Sequence, residues 1–212
     1  MNTLNRNILS AAVGAAILSL GGLAYAEDTI KIAVAGPITG DVAQYGDMQM
    51  TGAKMAVEQL NAKGGVNGKK LEAVLLDDQC KPEQAVNVAG QIINQKIKYV
   101  VGHLCSGATI PVAKTYEEEG ILMITPAATN PVITQQGYKM VFRTIGTDDQ
   151  QGPTAGRYIA AKIKPKKLAI IHDSQTYGKG IAEEVRKTVE AAGIKPVLFE
   201  GINKGQTDFS AL

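Results

Sequence analysis

The chain has 212 residues, 45% of them hydrophobic and 20% charged, with 22 basic against 20 acidic side chains and a formal net charge of +2. That apolar fraction, free of low-complexity tracts, describes a globular chain able to bury a core. Near-neutral charge, three Phe and no Trp exclude a basic, base-stacking surface, so no nucleic-acid partner is expected.

The first 26 residues, MNTLNRNILSAAVGAAILSLGGLAYA, carry one charge at Arg6, then an apolar run, then Ala24-Tyr25-Ala26, the small-x-small pattern cut by signal peptidase. Residues 1–26 therefore read as a secretory signal cut after Ala26. A membrane anchor is the competing reading, disfavoured by Gly21, Gly22 and the cleavage pattern before charged Glu27-Asp28. No cysteine precedes Cys80, which excludes lipid attachment at a cysteine directly after the signal. The expected location is outside the cytoplasm.

Beyond the signal, short β-rich runs alternate with helical periodicity. TIKIAVA at 29–35 predicts the first strand, and a helix follows from about Asp47 through Met48, Gly52, Met55, Ala56 and Leu60 to a C-terminal cap at Gly64. LEAVLLD at 71–77 predicts the second strand. KPEQAVNVAGQIINQ then puts Pro82 at a first helical position and Ala85, Val86, Ala89, Ile92 and Ile93 on one face. Further strands are expected at 98–102, 121–125, 140–144, 167–172 and 196–201, with helices over 151–164 and 178–194. Most of the strands are continuously apolar, as strands covered on both faces must be. Their order reads as a doubly wound α/β fold with a parallel sheet.

In such folds ligands bind beyond the carboxyl ends of the strands. There the sequence places GPITGDVAQYGD, HLCSGAT, PAATNP and DSQTYGKG, rich in Ser, Thr, Gly and Tyr. These loops suit binding a small molecule better than transforming it. A helix beginning near Ser106 would aim free N–H groups and the positive end of its dipole at a carboxylate, with the Ser106 hydroxyl as a further donor. On the neighbouring loop, the Ala127 carbonyl and Thr129 could take an ammonium as well as help the carboxylate. The plainer alternative makes Ser106 and Thr109 helix caps and Thr129 the cap of a short segment from Pro131. Phosphate motifs of the GxGxxG and GxxxxGK[ST] kinds are absent.

Two cysteines in an exported chain favour a Cys80–Cys105 disulfide. A nucleophilic Cys105 would need a positioned base, and the two histidines are His103, two residues away, and His172. Asp77-Asp78 and Asp148-Asp149 follow strands next to helix starts, where capping is the commoner role. His172-Asp173 lacks both a nucleophile elbow and a third ligand for a metal. No catalytic residue, metal site or cofactor is assigned.

Residues 30–89, 99–131, 148–160 and 172–185 together resemble the leucine/isoleucine/valine-binding proteins of branched-chain amino acid ABC transporters. The resemblance implies a two-lobed type I periplasmic binding protein, each lobe a parallel sheet flanked by helices, closing on a free amino acid. It implies that Ser106 and Thr129 hold the ligand carboxylate, and that the Ala127 carbonyl and Thr129 hydroxyl hold the ammonium. Tyr45, Leu104, Cys105 and Ala128 would line the first-lobe wall, with Tyr177 contributed by the second lobe. The family disulfide matches Cys80 with Cys105. Gly107 and Ala108 depart from the hydroxyl-rich pattern expected beside Ser106.

On this reading residues 27–146 form a first lobe and 147–212 part of a second, both incomplete, since the family chain is longer. The expected partners are the free amino acid and the inner-membrane permease subunits, the state a monomer and the location the periplasm. A sensor domain for a small amino acid or amide, or an enzyme on the same scaffold, is the alternative that the fold alone would permit. GQTDFSAL begins like a helix capped by Thr207 and stops after barely a turn.

Overall fold

A computed structural model of the chain describes residues 29–203, 205–210 and 212; the expected signal segment lies outside them. Strand β1 (Ile30–Gly36) leads to helix α1 (Ala43–Ala62), β2 (Leu71–Asp77), α2 (Pro82–Asn94), β3 (Tyr99–Val101), α3 (Ser106–Glu118), β4 (Leu122–Thr125), the short α4 (Val132–Gln135) and β5 (Val141–Arg143). These five strands make one parallel sheet in the order β2-β1-β3-β4-β5, with Val34 opposite both Leu75 and Val101. Continuing, α5 (Asp148–Tyr158), a π-helical turn over Ile159–Ile163, β6 (Ala169–His172), α6 (Thr176–Ala191) and β7 (Leu198–Gly201) form a second unit on a parallel β6-β7 pair.

Strand alternation divides the first sheet into two faces. Ala33, Ala35, Val100, Met123 and Val141 point to one side, where α2 supplies Ala85, Val88, Ala89 and Ile92 and α3 supplies Val112, Ala113 and Tyr116; all are buried. Pro82 begins α2 as expected, after extended Lys81. Val88 takes the core position expected of Val86, which is exposed. On the opposite face, Ile32, Val34 and Val101 meet α1 across an apolar groove lined by Met48, Gly52, Ala56 and Leu60. Met48, Gly52, Ala56 and Leu60 of the predicted α1 stripe thus face the sheet, while Met55 does not line the groove; Met48, Met55 and Leu60 stay exposed, and of the helix only Gly46 and Met50 are buried.

Helix α1 ends as its sequence dictates. Gly64, at φ 99°, follows the Lys63 cap, and the N–H groups of Gly64 and Gly65 donate to the carbonyls of Asn61 and Leu60. This paired arrangement satisfies the last carbonyls and needs a residue tolerant of positive φ.

In the second unit, α5 and α6 pack so closely that a Cβ on Gly152 would fall 2.4 Å from Glu184 Cβ, and one on Gly156 2.6 Å from Thr188 Cβ. The i,i+4 glycine pair is what permits the contact. The helix expected over 151–164 starts earlier, turns π-helical at Ile159 and ends at left-handed Lys164. At the chain's end the expected helix from Thr207 does not form. Gln206 instead donates to the Asp208 carbonyl, and the Asp208 carboxylate accepts the Ser210 N–H, in a local turn.

Cys80 and Cys105 form a disulfide, Cα atoms 5.4 Å apart and 25 residues apart in sequence, joining the loop before α2 to the start of α3. Closing a loop of that length stabilises the fold by about 3 kcal/mol on the chain-entropy model. Replacing both cysteines by serine is expected to lower the unfolding free energy by that amount in urea titration, and reductant is expected to bring the parent down to the same curve.

Candidate functional site

Four strands of the two sheets end around one cleft, as the fold class requires. Its cavity of 430 Å³ is lined by Val42 and Tyr45 from the start of α1, Leu104, Cys105 and Ser106 from the β3–α3 turn, Ala127 and Thr129 from the loop after β4, and Tyr177 from α6. None of these side chains is charged. Tyr45 and Tyr177 are about half exposed, whereas Ser106 is 2% exposed.

Ser106 is the first residue of α3, with Cys105 rather than Ser106 at the cap position. The first-turn N–H groups of that helix lack intrahelical acceptors and sit at the positive end of its dipole. Ser106 Oγ accepts the Asn130 N–H at 3.2 Å, which leaves its own proton free to donate. Thr109 is no external cap either, since its hydroxyl donates to the carbonyls of Cys105 and His103. At the short helix α4 the cap position is Pro131, and the Asn130 side chain, not Thr129, accepts the first helical N–H, that of Val132, at 3.0 Å. Thr129 Oγ1 is buried, with no hydrogen-bond partner among the described residues.

Seven of the eight expected ligand residues therefore meet in one cavity. Ala128 does not line it. Its side chain is 1% exposed and packed into the core, because alternation along the loop turns it away from its neighbours Ala127 and Thr129. Val42, three residues before Tyr45, joins the wall unpredicted. Gly107, where a hydroxyl was expected, lies against α6: a Cβ there would sit 3.3 Å from Thr176 Oγ1.

A buried polar chain holds these loops. His103 Nδ1 is 2.6 Å from Asp78 Oδ2 and Nε2 is 2.9 Å from the Tyr116 hydroxyl, all three residues fully buried. Burial, with the Asp78 charge adding to it, raises the Tyr116 pKa and keeps the phenol protonated. The phenol can then donate to Nε2, placing the ring proton on Nδ1, toward Asp78. Asp78 Oδ1 also accepts the Cys80 N–H at 2.8 Å. The His103 carbonyl accepts the Thr125 hydroxyl at 2.7 Å, and Thr125 Oγ1 in turn accepts the Ala128 N–H at 3.0 Å. His103 is thus committed to the scaffold and does not serve Cys105 as a base. Asp78 and His103 each lie two residues before a disulfide cysteine, and that offset is the sequence signal that could have paired them.

Asp77 and the His172-Asp173 pair hold loops, Asp77 reaching back to the turn after β1. Burial raises the Asp77 pKa, but bonds from the Thr39 hydroxyl and the Ile38, Gln79 and Thr39 N–H groups outweigh it and leave the group below its usual range. His172 Nδ1 accepts the Ser174 N–H and Asp173 Oδ1 the Gln175 N–H, each at 3.0 Å, so the two act as turn caps. Among the described residues no group of three His, Cys, Asp or Glu could hold a metal.

A family model described as periplasmic binding protein matches residues 29–212. The chain belongs to the periplasmic binding protein family. It is 59% identical, over 197 residues, to the leucine-, isoleucine-, valine-, threonine-, and alanine-binding protein of Pseudomonas aeruginosa, covering 93% of this chain and 53% of that one. It is 50% identical to the Leu/Ile/Val-binding protein of Escherichia coli K12, covering all of this chain and 57% of the relative. Among solved structures, LivJ of Streptococcus pneumoniae in complex with isoleucine superposes with a TM-score of 0.78 at 33% identity, over 87% of this chain and 52% of that one. LivK of Thermotoga maritima, a leucine binding protein, gives 0.78 at 31% identity over 86% and 51%. The chain spans about half the length of these relatives.

For this periplasmic binding protein the buried chain makes a stability prediction. His103→Ala leaves Asp78 buried without its partner and is expected to cost about 3 kcal/mol or more. Tyr116→Phe removes one neutral donor and should cost about 1–2 kcal/mol. Urea unfolding of the two variants checks the order; equal losses would mean that the Asp78 contact carries no special weight.

Proposed function

We propose that the chain is the ligand-binding part of a periplasmic receptor that captures leucine, isoleucine or valine and hands it to an inner-membrane ABC permease. It acts as a monomer and without catalysis. The observation that carries this is an uncharged cleft that joins the start of α3, with the Ser106 hydroxyl, to Ala127 and Thr129, between two half-exposed tyrosines. A zwitterion suits it: the helix N-terminus and Ser106 take the carboxylate, and Thr129 with the Ala127 carbonyl takes the ammonium. The aliphatic side chain packs among Val42, Tyr45, Leu104 and Tyr177. Bound ligands named for the relatives, isoleucine in one solved structure among them, support the same chemistry.

Residues 27–146 form the first lobe on this reading and 147–212 belong to the second, the chain crossing between them near 145–149. Export through the signal at residues 1–26 places the receptor in the periplasm. No helix among the described residues is long and apolar enough to cross a membrane.

Ser106→Ala and Thr129→Ala are each expected to weaken leucine binding by about 1.5–3 kcal/mol, as for hydrogen bonds to charged groups. Calorimetry on the full chain measures this, and mass spectrometry of amino acids that co-purify with it tests the ligand class directly. Unchanged affinity in both variants would rule out the assigned carboxylate and ammonium sites.

A further inference from the structure

Asp148, the first residue of α5, is 0% exposed, yet neither of its carboxylate oxygens has a hydrogen-bond partner among the described residues. The Thr129 hydroxyl oxygen is buried and unpartnered too. The two residues are joined through the backbone, the Asp148 N–H donating to the Thr129 carbonyl at 3.0 Å. The Thr129 hydroxyl is near enough to lower the Asp148 pKa, although the two side chains are not hydrogen-bonded to each other as they stand. An acceptor-only carboxylate and a hydroxyl with an uncommitted proton are thus neighbours in a buried place, where leaving either unsatisfied is costly.

The groups around Asp148 leave it this task. Arg143, whose charge acts on Asp148, spends its guanidinium on the carbonyls of Ala128 and Asn130, at 3.1 and 2.8 Å, and on the Thr134 hydroxyl. Asp149 is engaged with Thr147 and with Gln135, and Glu184 with Lys187 at 2.6 Å. From α6, Gly180 closes over the site: a Cβ there would lie 4.0 Å from Asp148 Oδ2. Burial raises the Asp148 pKa; the Thr129 hydroxyl and Arg143 lower it, while Asp149 and Glu184 raise it.

We infer that Asp148 is a positioning residue for ligand recognition: its carboxylate accepts the Thr129 hydroxyl proton and so turns that oxygen's lone pairs toward the ligand ammonium. This rests on the amino-acid reading of the cleft. Thr129 by itself can donate to a carboxylate or accept from an ammonium; beside an ionised Asp148 it becomes an acceptor. The uncharged cleft then feels a negative charge one residue behind its wall, on the side where the ammonium sits. The carboxylate end is left to Ser106 and the start of α3.

The test uses the full chain with two probes, leucine and 4-methylpentanoate, which lacks the ammonium. Asp148→Asn is expected to weaken leucine about tenfold, the worth of one hydrogen bond to a charged group, and to leave 4-methylpentanoate within about twofold. In a double-mutant cycle read on leucine, adding Asp148→Asn to Thr129→Val is expected to cost nothing beyond Thr129→Val alone. Should Asp148→Asn fail to fold, pH carries the test. Protonating Asp148 removes the acceptor, so leucine affinity of the parent falls as pH drops through the raised pKa, and Thr129→Val lacks that fall. Equal losses for the two probes, additive losses in the cycle, or the same pH profile in Thr129→Val would overturn the inference. A parent chain that does not bind leucine at all would instead overturn the ligand reading beneath it.

Discussion

The buried Asp78–His103–Tyr116 chain is the constraint on which the cleft depends. A carboxylate, an imidazole and a phenol are removed from water together, and this is tolerable because each finds a partner within hydrogen-bond distance. The same groups bind backbone: Asp78 holds the turn that carries Cys80, and the His103 carbonyl holds Thr125, which in turn holds the loop leading to Thr129. The disulfide closes the ring from the other side. Both ligand loops are therefore referenced to one buried frame, so that Ser106 and Ala127 face a common space without any direct bond between their side chains.

That frame suits the proposed ligand, a charged molecule in an uncharged cleft. A free amino acid carries both signs within a few bonds, and a side-chain counter-ion for one would repel the other. Helix N-termini, hydroxyls and carbonyls provide partial charges of each sign at fixed points, with little desolvation cost before the ligand arrives. The exposed rings of Tyr45 and Tyr177 stand on α1 and α6, which belong to different sheets, so closing the cleft over an aliphatic side chain would bring two apolar surfaces together.

The second unit shows a different economy. Its α5–α6 contact relies on Gly152 and Gly156 bringing backbones together rather than on large side chains, and among the described residues its fully buried apolar cluster is small: Ile170, Ala182 and Val189. The first sheet, by contrast, has a full core on its α2–α3 face and an open apolar groove under α1. Met48 and Leu60 line that groove and are exposed for that reason: their periodicity is that of a buried stripe, and the groove beneath it is only partly filled.

How much of this the sequence held can be judged residue by residue. Periodicity located the seven strands among the described residues and the long helices except α3, of which only the start near Ser106 was read, because apolar spacing and Gly or Pro punctuation are local properties; LEAVLLD and Pro82 fall where expected. Strand ends named the ligand loops, and the resemblance named seven residues that share the cavity. What could not be read were relations across the chain. Val42 rather than Ala128 on the wall, Asn130 rather than Thr129 at the first N–H of α4, and Val88 rather than Val86 in the core each depend on the direction in which a loop or helix is rotated against its neighbours. His103 with Tyr116, and Asp148 behind Thr129, depend on elements 13 and 19 residues apart being packed together out of water. The sequence by itself determined which groups exist and which local element carries each. Tertiary packing alone decided which of them lose water together, and in a low-dielectric interior that loss of water is what turns ordinary polar side chains into a frame for a site.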